Sequence, residues 1–181
     1  MGVCLSCCAS VDPRLHQPVH HRVIELIELH YGHGRVCEFR SFGHVLLSAP
    51  GKLLPGLRRF NRFFDAHAGP RGGAAEPAVA LSELAASGLV DWDARPDDMV
   101  EVCTAAGLDL RKDPPLDRHA ALLLLLLGKL EEMHVPGGGP PAGGGFLADP
   151  SLDDAMSFGV QAFFFFDFGC HGFLTKRDLF M

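Results

Sequence analysis

The chain has 181 residues, 48% of them hydrophobic, and a formal charge of −6. That is enough for a buried core of one or two small domains, and the wrong sign for a nucleic-acid binder, which needs a basic stripe. Extended β-branched runs are missing and there is one Trp and one Tyr, so the expected class is all-α. The longest apolar run, residues 120–127, falls far short of the roughly 20 residues that span a bilayer.

The first residues, "MGVCLSCC", carry the most specific signal. Gly2 and Ser6 match the M-G-x-x-x-[ST] pattern of N-myristoylation. One myristoyl chain holds a bilayer only marginally, so a second signal is needed; Cys4, Cys7 and Cys8 supply it as palmitoylation sites, since no Lys or Arg precedes Arg14. Residues 1–14 are therefore read as an acylated leader on the cytoplasmic face of a membrane. Two other readings stay open: an unmodified leader, and half of a zinc site. The zinc reading lacks a second CxxC and has only His16, His20 and His21 to invoke. The isolated Cys37, Cys103 and Cys170 make no disulfide framework.

Residues 15–50 form a leading helical segment. Val19, Val23, Leu26, Ile27 and His30 keep helical spacing with Glu25 and Glu28 outward, and Gly32 and Gly34 end that helix. "SFGHVLLSAP" makes a short second helix that Pro50 stops. Leu57, Phe60, Phe63 and Phe64 line a third helix running into Asp65, followed by the loop "AHAGPRGGAAEPA". Pro96 with Asp97 and Asp98 starts another, "GLDLRKDPPLD" is loop, and residues 119–133 are a core helix. Residues 136–148 are a Gly/Pro-rich linker. Asp149 and Pro150 then cap and open a helix that runs to the four phenylalanines, Phe163 to Phe166.

The calcium-binding helix–loop–helix template takes ligands at loop positions 1, 3, 5, 7, 9 and 12, with glycine at 6. From Asp167 it places Gly172 at 6, Leu174 at 8 and Asp178 at 12, with Phe163 and Phe166 as the entering-helix wall. The ligands on offer are Asp167, His171, the Phe173 carbonyl, Thr175 and Asp178; Gly169 at position 3 brings no side-chain oxygen. "FNRFFD" ends at Asp65 as "FFFFD" ends at Asp167, and Val79 and Glu83 keep the step between positions 8 and 12. Seven extra residues interrupt this first loop. In a fainter copy entered by "MVEVCT", Leu116 and Ala120 keep the same step with no acid at position 12, and that loop is read as empty of suitable ligands.

With three such units in order, the chain from about Leu15 onward resembles the plant-type calmodulin-like EF-hand proteins that carry an N-terminal acylation signal. "RVIELIELHYGHGRVCEFRSFGHVLLSAP" looks like the leading segment of that group. The resemblance implies EF-hand helix–loop–helix pairs: a degenerate pair over residues 51–135 and a third, truncated hand over 149–181. It implies calcium as the ligand, while Gly169 at position 3, His171 at position 5 and Asp178 rather than Glu at position 12 set the expectation that it is bound weakly or not at all, with affinity poorer than about 10⁻⁴ M. It also implies recognition of a target protein or amphipathic helix. Without a mate, the third hand leaves Phe163 to Phe166 partly exposed and open to self-association. A calcium-independent, lipid-anchored helical adaptor is the alternative. No P-loop, HExxH or G-x-S-x-G occurs, so an enzyme is not expected.

Overall fold

The computed structural model describes residues 25–27, 29, 39–69, 76–91, 96–133, 145–167 and 174, with the backbone alone at 96–99 and 105. These residues are mostly helical, with two short strands. Residues 25–27 and 29 are helical, with Glu25 outward and Leu26 and Ile27 buried as their spacing requires.

Ser41, in extended backbone, caps helix α1 (Phe42–His67), its hydroxyl accepting the His44 N–H at 3.2 Å. The 26 residues of α1 span about 39 Å. The helix continues through Pro50 and Pro55, which corrects the expectation that Pro50 stops it. Each proline deletes one i→i−4 bond. Both prolines are exposed, whereas Val45, Gly56, Phe60 and Phe64 anchor the other side in the protein. The boundary expected between residues 50 and 51 therefore falls inside one helix.

Past His67 the chain doubles back. Gly69 and Ala78 exchange both backbone hydrogen bonds, at 3.1 and 3.0 Å, closing the seven-residue insertion at its base. Strand β1 (Ala78–Ala80) feeds the short helix α2 (Leu81–Ala85), and α3 (Pro96–Ala105) begins at the expected proline. A 3₁₀ turn (Leu110–Lys112), strand β2 (Pro115–Asp117) and α4 (Arg118–Met133) follow. The strands pair antiparallel, Ala78 opposite Asp117, Val79 opposite Leu116 and Ala80 opposite Pro115.

A bridge between Val90 and Leu147 leads into α5 (Pro150–Phe166). Asp149 caps α5 as the sequence implies, accepting the Leu152 N–H at 3.0 Å, and its other oxygen takes the Arg59 guanidinium of α1 at 3.1 Å. α1 and α5 lie side by side because α1 carries Gly56 at the contact. A Cβ there would collide with the Ser151 carbonyl and approach the Leu152 Cα to 2.9 Å.

One core joins Phe60 and Phe64 of α1, Val79, Leu84 and Leu116 from the strand region, Leu124, Leu125 and Leu127 of α4, and Leu152 and Phe164 of α5. A smaller cluster holds Phe39, Val45 and Phe158, with Phe165 and Phe166 packed on it; Phe39 meets Phe158 edge-on at 5.2 Å. The helix expected to lack a mate is thus laid along α1. Phe164 is fully buried, and Phe163, Phe165 and Phe166 are half-buried.

Cys103 lies in the main core with no exposed surface, and burial pushes its thiol up to about 12. A thiol held protonated and covered is a poor nucleophile. Native protein treated with a water-soluble maleimide is expected to leave Cys103 unmodified until denaturant is added; rapid labelling without denaturant would contradict the packing around it.

Candidate functional site

The two strands fall in the segments that the sequence matched to template loops. In that expected numbering β1 takes positions 7 to 9 of the first loop and β2 positions 7 to 9 of the second. The register pairs position 8 with position 8, and 7 with 9 in both directions. Equivalent residues meeting reciprocally is the relation that a two-fold axis produces.

A calcium cage needs six to eight oxygens converging on one point. In the first loop, Asp65 remains inside α1 and its carboxylate pairs with Arg118, the first residue of α4, at 2.5 Å. The same guanidinium reaches Asn61 Oδ1 and lies 4.7 Å over the Phe64 ring. Glu83 turns back to the start of α2, where its carboxylate accepts the Ala80 N–H at 3.0 Å. The two acids expected to share a first-loop site therefore each take a separate partner.

The second loop, read as empty of suitable ligands, does hold three carboxylates. Counting back from Leu116 puts Asp109, Asp113 and Asp117 at positions 1, 5 and 9. Their even spacing of four was the available signal, masked by Ala120 at position 12 and Arg111 at position 3. Asp109 and Asp117 are engaged locally. Asp109 accepts the Arg111 N–H at 3.1 Å and pairs with Lys112 at 3.3 Å. Asp117 accepts the Ala120 N–H at 2.8 Å and so caps α4.

Asp113 crosses to the other loop, accepting both the Ser82 N–H and the Ser82 hydroxyl at 2.8 Å. Its backbone is left-handed, with φ 44°, a region that aspartate enters more readily than most residues. In this conformation its carboxylate stands over the start of α2, whose own N-cap, Ala80, has no side-chain acceptor. Carboxylates that are capping helices and meeting guanidinium groups do not form a convergent oxygen set. Among the described residues no group of three or more His, Cys, Asp or Glu is placed to hold a metal. The described carboxylates of these two loops are drawn to separate partners.

Of the third loop, Asp167 is described. It is fully buried at the end of α5, its N–H bonded to the Phe163 carbonyl at 2.9 Å. Leu174 is exposed. His171, Phe173, Thr175 and Asp178 lie outside the described residues, as do Gly2, Cys4, Cys7 and Cys8.

A second polar group ties α4 to α5. Lys129 reaches Asp153 at 2.7 Å and Glu132 at 3.2 Å. Burial by itself pushes the Lys129 ammonium toward neutrality. The hydrogen bond and charge of Asp153, with Glu132 behind them, outweigh that and raise its pKa.

No protein-family model, curated protein or solved structure matches the chain. Among the described residues no helix is long and apolar enough to cross a membrane.

Proposed function

We propose that the chain is a lipid-anchored helical adaptor of the calmodulin-like kind, whose paired EF-hand-type loops serve as architecture and whose helices recognise a partner protein or amphipathic helix. The observation that carries this reading is the reciprocal pairing of Val79 with Leu116. Two loops joined at equivalent positions are the arrangement an EF-hand pair requires. Between them, the carboxylates that would meet calcium meet Arg118, Ser82 and the Ala80 N–H instead. Such a lobe is held closed by its own side chains and needs no ion. The anchor rests on Gly2, Ser6, Cys4, Cys7 and Cys8 in the sequence, and no catalytic role is proposed.

A second reading, weak calcium binding or sensing, is favoured by one feature: the buried Asp167 carboxylate at the end of α5, where the third loop begins. Calorimetric titration of calcium into the full chain separates the two. An adaptor gives no heat and no change in circular dichroism up to roughly millimolar calcium. Heat at micromolar calcium that Asp167→Ala abolishes would replace the adaptor with a sensor working through its third loop.

A further inference from the structure

The outer face of α1 has no partner among the described residues, and its composition runs against the chain's net charge. The molecule carries −6 overall, yet α1 holds Lys52, Arg58, Arg59 and Arg62 against a single acid, Asp65. Asp65 is neutralised by Arg118, and Arg59 is taken by Asp149. Lys52, Arg58 and Arg62 are exposed with no ionic partner among the described residues.

Leu47, Leu54, Arg58 and Arg62 follow one another at steps of seven, four and four, which brings them onto one line along the helix. Leu47 is 85% exposed and Leu54 42%, opposite the face that Val45, Gly56, Phe60 and Phe64 bury. Exposed leucines beside cations on a helix that cannot span a membrane describe an element that lies on a lipid surface.

We infer that this face of α1, from Leu47 to Arg62, docks on an anionic lipid surface. The leucines enter the headgroup boundary and Arg58 and Arg62 meet lipid phosphate and carboxylate groups. This deepens the proposed membrane tether by supplying a contact that involves no acyl chain. It would orient the molecule with the core-facing side of α1 away from the bilayer.

Each arginine at an anionic surface is worth about fivefold in affinity. The test is co-sedimentation of the full, unacylated chain with vesicles of phosphatidylcholine alone and of phosphatidylcholine mixed with phosphatidylserine. Binding is expected to the mixed vesicles only, and to weaken with salt. Arg58→Glu with Arg62→Glu should lower it by about 25-fold or more, and Leu47→Ser with Leu54→Ser by about tenfold. All four side chains are exposed, so circular dichroism should be unchanged. Binding to neither vesicle, equal binding to both, or full binding by the arginine variant would overturn the inference; the first result would send this face to a protein partner. The acyl tether is judged apart, on chain co-expressed with a myristoyl transferase. If Gly2→Ala leaves the membrane binding of that chain unchanged, the tether fails while the α1 face stands.

Discussion

Gly56→Val is expected to destabilise the protein by about 3 kcal/mol or more, lowering the melting temperature by roughly 10 °C. A Cβ at residue 56 runs into the Ser151 carbonyl, comes within 2.5 Å of the Ala155 Cβ and within 2.9 Å of the Leu152 Cα. Two of these three neighbours are backbone, which has no rotamer to yield, so α1 and α5 would have to separate. Separation uncovers Phe60, Phe64, Leu152 and Phe164 together, because all four belong to the core these helices share. The matched control is Gly159→Ala on α5, where a Cβ meets nothing within 4 Å. It should be neutral or gain up to about 1 kcal/mol from helix propensity. Thermal melts of the two variants settle the matter: equal, small shifts would mean that α1 and α5 do not approach as closely as described.

Lys129→Met is expected to cost about 2–3 kcal/mol. The Lys129 side chain is 13% exposed, that of Glu132 11% and that of Asp153 32%. Removing the cation leaves two carboxylates close together with little water, a loss of 3–5 kcal/mol in fully buried pairs and less here because Asp153 is a third exposed. Replacing all three, Lys129→Met with Glu132→Leu and Asp153→Leu, should recover most of the loss, since an apolar contact carries no desolvation penalty.

The same group has a pH signature. The Lys129 pKa is higher in the folded chain than in the unfolded one, so its contribution is complete below the unfolded lysine value of about 10.4 and fades as pH climbs through the folded one. Urea unfolding from neutral to strongly alkaline pH should show the wild type losing an increment there that Lys129→Met lacks. Parallel curves would assign the alkaline loss to other groups.

Local rules legible in the sequence place most of the helices. Asp149 followed by Pro150 opens α5, Pro96 opens α3, and the leucine run becomes α4, because caps and hydrophobic period act over a few residues and need no distant partner. The step from Val79 to Glu83, matched by Leu116 to Ala120, also marks the two positions that meet in the sheet. The sequence could not show the fate of the prolines in α1. Whether a helix breaks at Pro50 depends on what the opposite face buries, and that is α5, about a hundred residues later.

The loop carboxylates were ambiguous for the same reason. Asp65, Glu83, Asp109, Asp113 and Asp117 have the chemistry of calcium ligands. Only the folded chain brings Arg118 to Asp65 and Asp113 to Ser82, because a charge takes the partner that tertiary packing sets beside it. The sequence by itself determined a mostly helical chain with a lipidation pattern at its start and two segments that share a four-residue step. Tertiary structure alone decided that those segments are tied to each other by side chains, and that the leucines and arginines of α1 share one outward face.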